Sequence, residues 1–337
     1  MRPDPSRLLT DLLRQVSRSF YITLRVLPRP VRSQIGLAYL LARATDTIAD
    51  TEIVPLAQRL DALDRLRERI LGSSNASIDF GDLACHQGTP AERSLLQRIE
   101  EALELLSHCP EQDRTLIRGV LRTIVSGQEL DLNRFGAASA ANISILGTDP
   151  DLDDYTYRVA GCVGEFWTRM CRTHLFPNVP LDDVRLLADA ARFGKGLQLV
   201  NILRDIPSDL RQGRCYIPRE RLAAAGLEAK DLLKPETEPR FRPIYLSYLD
   251  LAAAHLAAGW DYTNRLPRSW VRVRLACAWP ILIGVRTLSR LRSQNVLDPS
   301  HRIKIGRAEV RSVIIRSVLL YPWPRSWQRL FVQAGAG

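Results

Sequence analysis

Apolar residues recur every three to four positions along almost the whole chain, and no segment shows the convincing alternation that marks a strand. This pattern predicts an all-α protein whose helices are separated by Gly-, Pro- and Ser-rich breaks. No break resembles a flexible linker, so residues 1–337 are predicted to form one helical domain. The predicted helices span residues 5–16, 31–50, 56–71, 92–107, 111–133, 151–173, 181–209, 240–265, 268–292 and 306–320.

The composition, 46% hydrophobic and 25% charged, is that of a globular protein with ample material for a core. A net charge of +10 favours an anionic partner, although basic genomic composition would give the same excess. No basic–aromatic module of a nucleic-acid-binding protein is present, so nucleic acid is not expected. Six scattered cysteines without a CxxC pair favour reduced thiols in the cytoplasm. We see no signal peptide, and the longest apolar run, 275–285, is too short to span a bilayer.

A narrow polar stripe interrupts the apolar helix predicted over residues 31–50. Its members are spaced 4, 3 and 4 apart, which places them on one helix face: Tyr39, Arg43, Asp46 and Asp50. Leucine, alanine and isoleucine fill most of the remaining surface. We call these four residues the first stripe.

A second stripe lies in residues 194–209, again surrounded by leucine, isoleucine and valine. Its members are spaced 3, 4 and 4 apart: Gln198, Asn201, Asp205 and Asp209. Pro207 complicates this helix, because it removes the bond to the Leu203 carbonyl and is expected to kink or end the helix. Asp209 would then project at an altered angle.

Either stripe alone could be an ordinary solvated face, since acids four apart are common on helices. Two stripes in apolar helices favour a shared role. If both face one interior pocket, four carboxylates would repel one another and lose hydration. The histidines form no metal-binding cluster, but Mg²⁺ takes oxygen ligands and binds through one or two carboxylates plus substrate phosphates. The residues therefore predict a Mg²⁺–diphosphate site with an apolar, water-poor cavity, since ionising a diphosphate ester leaves a carbocation.

A third set lies in residues 155–169, where helical spacing places four residues on one face: Tyr157, Gly161, Gly164 and Thr168. Two glycines inside a helix cost about 1 kcal/mol each. Such a cost indicates that something bulky approaches this face.

Four segments together resemble the squalene/phytoene synthase family, in the family's order and spacing. They are SRSFYITLRVLP (17–28), YLLARATDTIAD (39–50), YTYRVAGCVGE (155–165) and LQLVNILRDIPSDLRQGRCYIP (197–218). The resemblance implies an isoprenoid-synthase-type helical bundle with a central cavity. It also implies an enzyme that joins two allylic diphosphates through their C1 regions.

The resemblance further implies roles for individual residues. The metal ligands would be Asp46, Asp50, Asn201, Asp205 and Asp209. The substrate would be bound by Ser17, Arg18, Ser19, Phe20, Tyr39, Arg43, Gln198, Arg214 and Tyr216, with arginine–phosphate pairing as the physical basis. Tyr157, Tyr155 and Arg204 would be catalytic, Tyr157 by steadying a cation or handling a proton. Gly161 and Gly164 would make room for prenyl tails, and Gln128, Glu129 and Asp131 could line the pocket.

Some of these residues could instead have purely structural roles. Arg18, Arg204 and Arg214 could be salt-bridge partners, and Tyr155 could be simple core. A non-catalytic, membrane-associated helical assembly protein is the alternative of another class. It predicts eroded metal ligands, whereas all four aspartates are present.

Two C-terminal segments bear on which reaction to expect. Residues 275–288 and 301–310 resemble squalene synthase segments, and Lys304 and Arg307 would bind the extra ribose phosphate of NADPH. A basic helix start at the surface is the alternative. We therefore expect a squalene synthase that converts two farnesyl diphosphates through presqualene diphosphate, with Mg²⁺ and NADPH. The alternatives are a phytoene, dehydrosqualene or presqualene diphosphate synthase.

The last segment, 313–337, mixes large apolar and aromatic residues with arginines. That composition is typical of a contact with a membrane surface, although the same residues could cover the domain's own core. The expected location is cytoplasmic and peripheral to the inner face of the membrane.

Overall fold

The computed structural model describes residues 11–17, 20–298, 300 and 303–335, and within them nearly all regular structure is helical, as predicted. The chain divides into two compact units, residues 1–137 with 166–178, and residues 138–165 with 179–337. The interpretation of 1–337 as one domain stays a prediction. No helix in the described ranges is long and apolar enough to cross a bilayer. All six cysteines carry free thiols.

The first unit holds helices α1 (Leu13–Val16), α2 (Phe20–Val26), α3 (Arg29–Ala49), α4 (Leu56–Leu71), α5 (Gly81–Cys85), α6 (Pro90–Gln97), α7 (Ile99–Ser107) and α8 (Glu111–Phe135). Its core forms where α3 and α4 pack against α8. Leu40, Leu41 and Ile48 of α3 are fully buried there. Each such side chain contributes about 1.5–3 kcal/mol of burial free energy. The buried side of α3 thereby fixes which side carries the first stripe.

The helices that follow are α9 (Asp149–Thr156), α10 (Cys162–His174), α11 (Asp183–Arg211), α12 (Arg219–Ala224), α13 (Glu238–Arg265), α14 (Val271–Ser293), α15 (Arg307–Leu320) and α16 (Pro324–Gly335). In the second unit α11 packs along α13, and α13 packs on α14. Helix α11 begins where the Asp182 carboxylate accepts a hydrogen bond from the Arg185 amide, 3.0 Å away. The core side of α13 buries Phe241, Tyr245 and Leu249 completely.

Several details differ from the sequence prediction. The helix predicted over 92–107 is two helices, α6 and α7, because Arg98 leaves helical geometry at φ −107° and ψ 18°. The helix predicted over 151–173 is interrupted by a π-helical turn, Tyr157–Gly161. The prediction did not include α2, α5, α12, α16 or the 3₁₀ turns Ala229–Leu233 and Pro235–Thr237. Half of the helix predicted over 5–16, residues 5–10, lies outside the described residues.

A short parallel strand pair was also missed. Strands β1 (Ser144–Ile145) and β2 (Arg214–Cys215) pair Ser144 with Arg214 and Ile145 with Cys215. Two residues are too few to show alternation, so the sequence carried no strand signal. The pair fixes the segment that follows α11, and with it the backbone of Arg214.

Candidate active site

The first stripe lies on the accessible side of α3. Tyr39, Arg43 and Asp46 are half-buried, whereas Asp50, just past the last helical residue, is exposed. Asp50 still closes the helix, because its backbone N–H bonds the Asp46 carbonyl at 2.9 Å. The last turn of α3 therefore holds Asp46 and Asp50 one above the other.

Arg43 joins the first stripe to a residue that the sequence did not reveal. Its guanidinium forms ion pairs with Asp46, one turn away, and with Glu92, the latter at 2.5 Å between Nη2 and Oε1. Burial alone would lower the pKa of Arg43, but the Asp46 and Glu92 carboxylates outweigh it and raise that pKa. The buried Nε of Arg43 has no hydrogen-bond partner among the described residues. Arg43 is thus a cation held by two carboxylates, and its Nε–H group remains available to donate a hydrogen bond.

Glu92 is held in place by the start of α6. Its carboxylate accepts a hydrogen bond from the Thr89 hydroxyl at 2.7 Å, and its amide donates back to the same hydroxyl at 3.2 Å. The spacing of Thr89 and Glu92 is that of a helix cap, which the sequence could have shown. Nothing in the sequence indicated that Glu92 also reaches Arg43.

A polar cleft of about 240 Å³ opens beside Asp50 in the first unit. Besides Arg43, Asp50 and Glu92, it is lined by Thr51 and Gln87, which are joined by a 2.8 Å hydrogen bond. Charged and hydrogen-bonding groups dominate this lining, so the cleft suits a small polar group rather than a prenyl chain.

The second stripe lies on α11 in the second unit. Gln198, Asp205 and Asp209 are half-buried, and Asn201 is exposed. Arg204 forms a two-pronged ion pair with Asp205, at 3.0 Å from Nε to Oδ1 and 2.5 Å from Nη2 to Oδ2. One aspartate of each stripe is therefore paired with an arginine: Asp46 with Arg43 of the same stripe, and Asp205 with Arg204 beside it in the chain. That the two stripes face one pocket stays a prediction.

Pro207 was expected to kink or end the helix. The ending is wrong, because α11 continues to Arg211 and includes Asp209, whereas the kink stays a prediction. The Leu203 carbonyl, which Pro207 cannot bond, accepts a hydrogen bond from the Tyr245 hydroxyl at 3.1 Å. This contact replaces the lost helix bond, so the helix does not have to break.

The two candidate catalytic tyrosines have different surroundings. Tyr155 is buried and stacks on Tyr216 with ring centroids 4.9 Å apart, which agrees with its alternative role in the core. Tyr157 is half-buried, and its hydroxyl donates to Glu165 at 3.3 Å. The ammonium of Lys195 lies 5.7 Å from the centre of the Tyr157 ring. Tyr157 therefore has an acceptor at its hydroxyl and a cation at its ring face.

The expected room for prenyl tails at Gly161 and Gly164 is not there. A Cβ on Gly164 would lie 2.0 Å from the Ala190 carbonyl oxygen, and one on Gly161 would lie 3.2 Å from that of Ala191. The bulky group that approaches these glycines is thus the backbone of α11. The π turn also changes the spacing that had placed Tyr157 and Thr168 on one face.

Other predicted residues fall into three groups. Arg18, Ser19 and the side chain of Phe20 lie outside the described residues. Ser17 is buried and its hydroxyl donates to the Leu13 carbonyl, while the Tyr39 hydroxyl donates to the Val16 carbonyl at 3.4 Å. In the first unit Gln128 is buried, Asp131 is half-buried and Glu129 pairs with Arg67 at 2.7 Å.

Lys304 and Arg307 are both exposed, on either side of the start of α15. At that start the Gly306 amide donates a hydrogen bond to the Glu309 carboxylate at 2.9 Å. The same carboxylate forms an ion pair with Arg290. Both side chains are accessible from solvent, at Lys304 and at Arg307. Their chemistry fits the extra ribose phosphate expected for them.

The donor set of each stripe fits magnesium. Within the described ranges, no group of three or more His, Cys, Asp or Glu side chains could hold a metal ion by itself. Each stripe offers two carboxylates, and Mg²⁺ commonly takes one or two carboxylates and completes its shell with water and substrate phosphate. Asp46, 44% exposed, and Asp205, 26% exposed, are accessible for such ligation.

The sequence left open whether the C-terminal segment covers the protein's own core or contacts a membrane surface. One side of α15 and α16 packs inward through Val313, Trp327 and Leu330, and Trp327 stacks on Trp260 with centroids 5.1 Å apart. The other side leaves Ile315 and Leu319 more than half exposed. The segment therefore covers part of its own core and still presents an apolar outer face.

Comparison with known proteins identifies the family. The squalene/phytoene synthase family matches residues 13–309. A presqualene diphosphate synthase of Rhodopseudomonas palustris is 28% identical over 305 residues, 90% of this chain and 93% of that protein. A bifunctional lycopene cyclase/phytoene synthase of Blakeslea trispora is 33% identical over 92% of this chain, which spans 48% of that protein.

A solved structure extends the likeness to the fold. The complex structure of TcSQS with the ligand E5700 matches with a TM-score of 0.79 at 23% identity, over 99% of this chain and 92% of that one. The helical fold is therefore the one predicted. The chain belongs to the squalene/phytoene synthase family of prenyltransferases.

Proposed function

We propose that this chain joins two molecules of farnesyl diphosphate, with Mg²⁺, to form presqualene diphosphate. The observation that carries the proposal is the arginine that pairs with one aspartate of each stripe, Arg43 with Asp46 and Arg204 with Asp205. An arginine beside a metal-binding carboxylate suits a substrate that brings both phosphate oxygens and metal ions. Similarity to a presqualene diphosphate synthase over nearly the full length of both chains supports this choice of reaction.

In this proposal the chain's own residues bind and steady the reacting groups. Asp46 and Asp50 of the first unit, and Asn201, Asp205 and Asp209 of the second, would hold Mg²⁺ ions, which would supply charge neutralisation for the departing diphosphate. Arg43 and Arg204 pair with phosphate oxygens, and Arg43 keeps its orientation because Glu92 holds it. Tyr157 presents its ring to positive charge and its hydroxyl to Glu165.

Reduction to squalene with NADPH is a second candidate step, favoured by the two exposed cations Lys304 and Arg307. The test is analysis of the products from farnesyl diphosphate and Mg²⁺, with and without NADPH. Presqualene diphosphate is expected without NADPH. Squalene formation with NADPH, reduced in Lys304→Ala and Arg307→Ala, would support the second step.

The same experiment separates the remaining family reactions. Presqualene diphosphate that persists when NADPH is added limits the chain to the first step. Dehydrosqualene, or phytoene from geranylgeranyl diphosphate as the preferred substrate, would overturn the proposed reaction. No product from either substrate would favour the non-catalytic alternative.

We also propose that α15 and α16 contact the anionic inner face of the cytoplasmic membrane. Five of the twelve large hydrophobic side chains that are exposed in the described residues lie between Ile315 and Val332. Arg311, Arg325 and Arg329 are exposed in the same helices, and no acidic residue follows Glu309. Exposed apolar groups with surrounding positive charge suit an interface with anionic lipid.

Binding to vesicles tests this contact. Leu319→Ser, at a side chain that is 62% exposed, is expected to reduce co-sedimentation with equimolar phosphatidylglycerol–phosphatidylcholine vesicles by about 10-fold, because burying a leucine contributes about 1.5–3 kcal/mol. Added salt should weaken binding further. Ile53→Ser, in the first unit and 74% exposed, is the matched control. Equal binding by both variants, or equal binding to pure phosphatidylcholine, would contradict the proposed surface.

A further inference from the structure

The turn of α11 that carries Asp205 lacks one of its own helix bonds. In a regular helix the Leu203 carbonyl accepts from the N–H of residue 207, but proline has no N–H to donate. Leu203 is fully buried, so water is a poor substitute as a donor. Asp205 lies inside this incomplete turn, and Asp209 lies two residues beyond it in the same helix.

Tyr245 of α13 supplies the missing donor. Its hydroxyl lies 3.1 Å from the Leu203 carbonyl oxygen, and its side chain is fully buried. The ring is packed against Phe241, with centroids 5.6 Å apart. Burial raises the pKa of Tyr245, so the hydroxyl keeps its proton and remains a donor.

We propose that Tyr245 is a positioning residue for the metal-binding aspartates of the second stripe. By bonding the Leu203 carbonyl, it fastens the turn that Pro207 opens and fixes the direction in which Asp205 and Asp209 project. The proline and the tyrosine therefore act as a matched pair. This inference rests on the proposed function only for the role of the aspartates, because the contact between Tyr245 and Leu203 belongs to the fold itself.

A double-mutant cycle tests the pairing without any ligand. Tyr245→Phe keeps the ring but leaves the Leu203 carbonyl without a donor, so the Tm is expected to fall by about 3–6 °C. In a Pro207→Ala background the alanine N–H can restore the helix bond, so the same change should then cost about 1 °C or less. Equal loss of Tm in both backgrounds would overturn the pairing.

Tyr248→Phe is the matched control on the same helix. Its hydroxyl donates to the Asp149 carboxylate rather than to α11, so its effect on the Tm should be the same with proline or alanine at position 207. A smaller effect of Tyr248→Phe in the alanine background would show that Pro207→Ala loosens the region in general. That result would also contradict a specific pair.

The positioning role has its own readout. Binding of Mg²⁺ with inorganic diphosphate, measured by calorimetry at 25 °C, should weaken about 10-fold in Tyr245→Phe and recover in the double variant with Pro207→Ala. Unchanged affinity with a lowered Tm would overturn the positioning role. If the parent chain does not bind Mg²⁺ and diphosphate, the proposed function fails instead, and the thermal cycle still decides the pairing.

Discussion

Asp205→Asn is expected to lower kcat for farnesyl diphosphate by more than about 100-fold, because it removes a charged oxygen ligand from the second stripe. Substitution of residues that only support metal ligands already costs about 10–100-fold, and loss of a ligand should cost more. Arg204 also loses its ion-pair partner. Each side chain of that pair is only about a quarter exposed, so its loss should also lower stability, by more than the ~0–1 kcal/mol of a solvent-exposed pair. The measurement is steady-state product formation over a range of Mg²⁺ concentrations, with the Tm recorded for each variant.

Asp250→Asn provides the comparison. Asp250 lies in the same unit, pairs with Arg292 and is 68% exposed, outside either stripe. Its substitution should leave kcat and the dependence on Mg²⁺ unchanged. Asp46→Asn should behave like Asp205→Asn, since Asp46 has the same relation to Arg43. Product formation at the parent rate in both stripe variants would refute the metal assignment.

Gly164→Ala is expected to destabilise the fold by about 3 kcal/mol or more. The added methyl group would lie 2.0 Å from the Ala190 carbonyl oxygen and 2.6 Å from its carbon, and both are backbone atoms that cannot rotate away. The free energy of unfolding in urea measures the effect. Because this contact belongs to the helix pair and not to substrate, the loss should be the same with or without ligand.

Gly119→Ala is the opposite case and serves as control. Gly119 lies inside α8, is exposed, and has no atom within 4 Å of the position of a new Cβ. Its replacement should stabilise the chain by about 0.5–1 kcal/mol, since alanine is the better helix former. If the two substitutions had similar effects, the close approach of α11 to Gly164 would not be the reason for the glycine.

Much of this architecture could be predicted from the sequence because long helices repeat one signal many times. The predicted bounds of α4, 56–71, agree with the structure, and the composition of both stripes followed from spacing alone. The π turn at Tyr157–Gly161 was not predictable in this way, since it changes the spacing by the width of one residue. The meaning of Gly161 and Gly164 was also misjudged, because a glycine shows that something approaches but not what.

The remaining gaps concern contacts between segments far apart in the chain. Arg43 pairs with Glu92, and the Tyr245 hydroxyl donates to the Leu203 carbonyl. Neither contact produces a repeating pattern of residues that sequence analysis could detect. Both were visible only as local features: Glu92 as part of a helix cap, and Pro207 as a residue that withdraws a donor. The sequence predicted that Pro207 removes a helix hydrogen bond. Only the structure shows that the Tyr245 hydroxyl replaces it.

The arginine–aspartate pairs have a consequence for the order in which ligands arrive. Arg43 and Arg204 pair with Asp46 and Asp205, so a lone magnesium ion competes with a guanidinium for each of these carboxylates. A magnesium ion that arrives with a diphosphate offers the displaced guanidinium a new anion. Under the proposed function, the protein would therefore bind free Mg²⁺ weakly and bind Mg²⁺ more tightly when it arrives together with a diphosphate substrate.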